Sequence, residues 1–233
     1  MSAHYFVSDA HIGAAPPGAE SRLVEFLESI KGRATSLFVL GDLFDFWFEY
    51  NRAIPVSGFR VLGALSRLAQ EGTRVVYLAG NHDVRFTGFF RRELGIESCA
   101  GPLEETLDGK RVWMSHGDDL DRRLIPTLFR ALMRSRVNQA LYSLVHPDLG
   151  IGLARSVSGA SRKRPPDAKL AEKMAAFART RLEQGHDIVV LAHLHRPELR
   201  PLERGMYLNT GDWVSNFSYG RLEQGRLTLE FWK

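Results

Sequence analysis

The chain has 233 residues, 44% hydrophobic and 25% charged, which suits one large domain, or one domain carrying an insertion, around a substantial core. Its single cysteine, Cys99, excludes an intramolecular disulfide and a thiolate metal site, and no stretch approaches the roughly 18–20 apolar residues of a membrane-spanning helix. The net charge of +4 is mild but uneven: residues 120–165 carry nine basic side chains against only Asp121 and Asp148.

The N-terminal stretch MSAHYFVSDAHIG lacks the basic start and apolar run of a signal peptide, so the expected compartment is the cytoplasm. Short apolar runs rich in β-branched and aromatic residues follow at 5–8, 37–40, 75–79, 112–115 and 188–192, and they read as buried strands. Between the first three lie helical patterns, with Leu23, Phe26, Leu27 and Ile30 on one face and Val61, Leu62, Leu65 and Leu68 on another. Strand–helix alternation predicts an α/β layered fold. Asp108-Gly109 and Gln224-Gly225 each separate two strand-like runs and predict hairpins. The basic segment interrupts the alternation and ends in Arg164-Pro165-Pro166. It is expected to be a helical cap (120–166) inserted into a core formed by 1–119 and 167–233.

Each predicted buried strand ends in the same kind of residue. The first leads into Asp9-Ala10-His11, the second into Gly41-Asp42, and the third into Gly80-Asn81-His82-Asp83. The fourth leads into His116-Gly117-Asp118 and the fifth into His193-Leu194-His195. Ligands of open α/β sheets bind beyond the carboxyl ends of strands, where such loops converge. Carboxylate, amide oxygen and imidazole suit Mn, Fe, Zn or Mg. An alternating pair such as Asp9-x-His11 or His193-x-His195 can splay so that one side chain faces each of two ions. Two ions roughly 3.5–4 Å apart can clamp a phosphoryl oxygen and activate water, with Asp42 the candidate to bridge them. Asp45, Asp83 and Asp118 are expected to orient metal-bound imidazoles. His4, His146 and His186 end no strand in such company and read as structural or exposed, and Cys99 reads as a small buried apolar residue.

The ordered set SDAH, GDLFD, GNHD, SHGD and AHLH, spanning residues 8 to 195, resembles the calcineurin-like metallophosphoesterase family, whose pattern is DxH, GDxxD, GNHD, GH and GHxH. The resemblance implies a layered fold, a β-sandwich core flanked by helices. It implies that Asp9, His11, Asp42 and His195 hold one divalent metal ion and Asp42, Asn81, His116 and His193 a second. His82 would be the catalytic imidazole that stabilises or protonates the leaving oxygen. Ala192 stands where the family often has glycine.

Within the family the chain is similar to the bacterial UDP-2,3-diacylglucosamine pyrophosphatases of lipid A biosynthesis, through its size, GDLFDFW, the basic insertion after HGD, and HLHRPE at 193–198. That likeness implies manganese as the cofactor and hydrolysis of a pyrophosphate in a nucleotide-linked glycolipid, giving UMP and an acyl sugar phosphate. Many members of that group carry arginine in GNRD, where this chain has His82. A soluble phosphodiesterase or nucleotide pyrophosphatase acting on a non-lipid substrate is the alternative.

The cap has an apolar stripe of Leu124, Ile125, Leu128, Phe129, Leu132 and Met133, continued by Leu141, Leu144 and Val145, with arginines interleaved. Such a helix either packs its stripe on its own domain or lies at the inner surface of the cytoplasmic membrane, giving a peripheral association. Asn81, Asp121, Arg162, Lys163 and His193 are the candidate substrate-binding residues. Phe129 and Tyr142 are the only aromatics of residues 120–165, so no nucleic-acid partner is expected.

Overall fold

The computed structural model describes residues 2–50, 52–121, 131–133, 135–147, 149–150, 152 and 168–233. Arg162 and Lys163, and the stripe residues Leu124, Ile125, Leu128 and Phe129, lie outside them.

The N-terminal half alternates as its hydrophobic pattern requires: β1 (Ala3–Val7), α1 (Ala19–Ser29), β2 (Ser36–Leu40), α2 (Phe59–Gln70) and β4 (Arg74–Leu78). Two short strands, β3 (Trp47–Phe48) and β5 (Asp83–Arg85), pair in parallel and tie the loop after β2 to the loop after β4. Helix α3 (Phe89–Leu94) leads into β6 (Glu97–Cys99). Then come β7 (Leu103–Leu107), β8 (Lys110–Met114), α4 (Arg136–Tyr142), α5 (Ala168–Glu183), β9 (Ile188–Leu191), β10 (Glu198–Leu202), β11 (Gly205–Asn209), β12 (Ser218–Glu223) and β13 (Arg226–Phe231).

The strands form a six-stranded sheet of order β13-β12-β1-β2-β4-β6 and a five-stranded sheet of order β10-β11-β9-β8-β7. Within them β1, β2, β4 and β6 run parallel, as do β8, β9 and β11. Both predicted hairpins are present, β7–β8 around Asp108-Gly109 and β12–β13 around Gln224-Gly225.

Side-chain alternation on the strands explains the layering. Phe6, Phe38, Leu40, Val76 and Leu78 of the first sheet meet Val112, Met114, Val190 and Leu208 of the second, forming the sandwich core. The intervening residues Tyr5, Val7, Leu37, Val39, Val75 and Tyr77 face the other way, toward α1 and α2. On the second sheet Trp113, Val189, Leu191 and Tyr207 pack under α5, which buries Leu170, Met174, Ala178 and Leu182. The strands thus read as continuous apolar runs because both faces are covered. Each fully buried side chain of this kind contributes about 1.5–3 kcal/mol. Cys99 is only half-buried, with its thiol directed at the Gly101 carbonyl, because it ends the edge strand β6.

Helix α4 differs from the others: none of its residues is buried. Leu132, Val137, Leu141, Leu144 and Leu149 are all exposed, the last four by 71%, 61%, 83% and 71%. Among the described residues no helix is long and apolar enough to cross a membrane.

Candidate metal centre

The loops that leave the carboxyl ends of β1, β2, β4, β8 and β9 meet on one rim. Asp9 and His11 follow β1, Asp42 follows β2, Asn81 and His82 follow β4, His116 follows β8, and His193 and His195 follow β9. The backbone there is unusual. Asp9, His11, Asp42, His193 and His195 all have positive φ, between 44° and 67°. Non-glycine residues rarely adopt this left-handed conformation, and where they do it costs about 1–3 kcal/mol and tends to cluster at functional sites. Here it bends the chain sharply at the ligands that follow β1, β2 and β9.

The side chains fall into three overlapping groups: Asp9, His11 and His195; His11, Asp42 and His82; and Asp42, His116 and His193. Within each group the ligand atoms lie within 4.8 Å of one another. In the first, Nε2 of His11 and Nε2 of His195 are 3.3 Å apart, and Oδ1 of Asp9 is 3.8 Å from the former and 3.3 Å from the latter. In the third, Nε2 of His116 faces Oδ2 of Asp42 at 3.3 Å, Oδ1 of Asn81 at 3.2 Å and Nδ1 of His193 at 3.2 Å. His193 and His195 therefore splay to separate groups, as an alternating pair can. Asp9 and His11 do not: both reach the group completed by His195. Asp42 belongs to two groups.

The outer ring nitrogens fix which atoms point inward. His116 donates from Nδ1 to the Leu40 carbonyl at 2.7 Å, and His82 from Nδ1 to the Asp45 carbonyl at 2.6 Å, leaving each Nε2 facing the cluster. Asp83 does not orient an imidazole. Its Oδ2 accepts from the backbone N–H of Asp42 and of Gly80, each at 2.9 Å, and its Oδ1 from the Tyr77 hydroxyl at 2.6 Å, so it holds the two ligand loops together. Gly41 permits this close approach. Its φ is +87°, and a Cβ there would lie 2.6 Å from the Gly80 nitrogen and 2.8 Å from Nδ1 of His116.

The electrostatics are strongly polarised. Burial opposes ionisation of Asp42, but the imidazoles of His116, His82 and His11 outweigh it and hold that carboxyl well below the usual range. Burial would likewise depress His116, yet Asp42 raises it well above the ordinary imidazole value. Desolvation and the neighbouring His116 push His193 down to about 3, so its imidazole is neutral. Burial pushes Asp9 up despite His195 and His116. Its Oδ1 is buried without a hydrogen-bond donor. An orphaned carboxylate oxygen beside two imidazole nitrogens 3.3 Å apart is a donor set that a divalent cation satisfies.

Asp121 is buried, and its charge acts on His193. His4 and His186 are also buried, away from the rim: His4 pairs with Ser36 and Asp108, and His186 with the Arg181 carbonyl and Glu104. Sequence reading missed the segment after β11, where Thr210 touches Ser8, which donates to Asp9 at 2.6 Å, and Asp212 approaches His195 at 3.7 Å. Lone Thr and Asp residues after a strand carry no motif, so only the fold reveals them.

Comparison with known proteins agrees with this geometry. The calcineurin-like phosphoesterase profile matches residues 5–197. A UDP-2,3-diacylglucosamine hydrolase of Porphyromonas gingivalis is 32% identical, over 97% of this chain and 96% of its own. One from Stenotrophomonas maltophilia is 28% identical, with the same coverage. Among solved structures, Yfce, a phosphoesterase from E. coli, superposes with a TM-score of 0.50 at 17% identity, covering 99% of this chain and 93% of its own, a likeness of fold. The chain belongs to the calcineurin-like phosphoesterase family of metal-dependent hydrolases.

Proposed function

We propose that this protein uses two divalent metal ions, Mn2+ by family resemblance, to hydrolyse the pyrophosphate of UDP-2,3-diacylglucosamine, giving UMP and 2,3-diacylglucosamine 1-phosphate. The observation that carries the chemistry is two ligand groups on one rim, Asp9 with His11 and His195 and Asp42 with His116 and His193, linked by the closeness of Asp42 to His11. The substrate is supported by the near-full-length similarity to hydrolases named for it.

In this reading Asp9, His11, Asp42 and His195 hold one ion, and Asp42, Asn81, His116 and His193 the other. When bound, such ions polarise a phosphoryl oxygen and lower the pKa of the attacking water. Water adds to one phosphorus, the bridging P–O bond breaks, and the departing phosphate oxygen takes up charge. His82 is placed to act on that oxygen: its Nδ1 is committed to the Asp45 carbonyl, so Nε2, 3.8 Å from Oδ2 of Asp42, is the ring nitrogen that faces the site. Asn81, His193 and Asp121 are proposed to touch substrate, with Arg162 and Lys163 supplying cations from the cap. The exposed apolar residues of α4 and its neighbours support a peripheral position at the inner surface of the cytoplasmic membrane, where acyl chains enter.

The test measures UMP release from UDP-diacylglucosamine and from UDP-glucosamine, with and without Mn2+, for the native protein and Asp42→Ala. The proposal expects manganese-dependent release, strong preference for the acylated compound, and no turnover by Asp42→Ala. Equal rates on the two compounds would replace the lipid substrate with a soluble one, and metal-independent turnover would remove the mechanism.

A further inference from the structure

The ring edges of His195 face two different partners. Nε2 points toward Asp9 and His11, and Nδ1 points the opposite way, to Oδ2 of Asp212 at 3.7 Å. Asp212 is buried and held firmly from both sides. Its Oδ1 accepts from the backbone N–H of Val214, Ser215 and Asn216 at 2.9, 2.7 and 3.0 Å. Its Oδ2 accepts from the Asn216 side-chain amide at 2.7 Å, and that amide also donates to the His195 carbonyl at 3.2 Å. The next residue, Trp213, is fully buried against Phe26 of α1, and its backbone N–H donates to the Asp9 carbonyl at 3.1 Å. The turn that presents Asp212 is thus anchored in the core and in the first ligand loop together.

We infer that Asp212 is a positioning residue for one metal site alone: it keeps the His195 proton on Nδ1, so that Nε2 offers its lone pair beside Asp9 and His11. His116 in the second group does not depend on it, since its Nδ1 is held by the Leu40 carbonyl. The inference rests on the metal reading of Asp9, His11 and His195, and the experiment separates the two.

Asp212→Asn keeps an oxygen for the three backbone N–H groups but replaces Oδ2 with an NH2, which removes the negative charge that faces Nδ1 of His195. The imidazole then favours the proton on Nε2, blocking the ligand atom. Metal-free native protein and Asp212→Asn are titrated with Mn2+ by calorimetry, with paramagnetic resonance of the bound ions and melting of the metal-free proteins alongside. The expected result is two equivalents for the native protein and, for the variant, one equivalent weakened about 10–100-fold, the usual effect of removing such a partner. The other equivalent stays unchanged, spin coupling between the ions is lost at limiting Mn2+, and metal-free melting is unaltered. Asn216→Ala, which keeps the Asp212 carboxylate but removes the amide that ties its Oδ2 to the His195 carbonyl, weakens the same equivalent by less; it carries the test should Asp212→Asn not fold, and no effect there overturns the inference. Two unchanged equivalents in Asp212→Asn overturn the positioning role while leaving the metal centre standing. Loss of both equivalents with lowered metal-free melting makes Asp212 merely structural. A native protein that takes up fewer than two ions overturns the metal reading itself.

Discussion

Replacing Gly41 by alanine tests how tightly the ligand loops are packed. The added Cβ must occupy a left-handed backbone, at a cost of about 1–2 kcal/mol for an L residue. It must also enter space already filled, 2.6 Å and 2.7 Å from the backbone nitrogen and Cα of Gly80 and 2.8 Å from Nδ1 of His116. Backbone cannot swing aside as a flexible side chain can, so overpacking adds about 1–3 kcal/mol. Gly72 supplies the control: its φ is +94°, but nothing lies within 4 Å of its virtual Cβ. Gly72→Ala should therefore cost only the backbone share. Urea unfolding of both metal-free variants measures the difference. The reasoning predicts a clearly lower midpoint for Gly41→Ala than for Gly72→Ala, with the slope unchanged. It also predicts weaker Mn2+ binding in Gly41→Ala alone, since the shift displaces His116 from the Leu40 carbonyl. Equal midpoints for the two variants would refute the close approach.

Three further outcomes follow. His82→Ala should slow turnover by about 10²–10⁴-fold while keeping two bound metal ions by elemental analysis; equal loss of metal would make His82 a ligand instead. Tyr77→Phe removes the hydroxyl that donates to the buried Asp83 carboxylate at 2.6 Å and should destabilise the fold by about 1–3 kcal/mol in urea. An unchanged midpoint would show that Asp83 does not depend on it. Chelation with EDTA should lower the melting temperature by roughly 5–10 °C per ion, taking about 2.7 kcal/mol at a hundredfold excess over Kd and about 2–4 °C per kcal/mol for a chain of this size. Added Mn2+ should restore it, and a melting curve indifferent to EDTA would count against bound metal.

The parts of the fold legible in the sequence were those where both faces of a strand are buried. Phe38 and Val39 serve different layers, yet both must be apolar, so β2 stands out as a continuous run. The edge strand β10 did not, because it is half-exposed and carries Pro201, which only an edge tolerates. Helix α5 left a readable trace in Leu170, Met174, Ala178 and Leu182 at four-residue spacing that was not drawn out. At the site, the residue types were legible because Asp, Asn and His recur where strands end. The grouping was not: Asp9-x-His11 and His193-x-His195 share one spacing and the same left-handed backbone, yet the first pair converges and the second splays. Asp83 was legible as a supporting residue, but its partners are backbone N–H groups of Asp42 and Gly80, set by loop packing and invisible in spacing. Asp212 was unreadable for the same reason, since its approach to His195 depends on two strands lying side by side.

Anomalous diffraction from crystals grown with Mn2+ tests the central claim most directly. The account predicts two peaks roughly 3.5–4 Å apart. One should lie among Asp9, His11 and His195, the other among His116, His193 and Asn81, with Asp42 between them. A lone peak, or density lying away from these side chains, would contradict it.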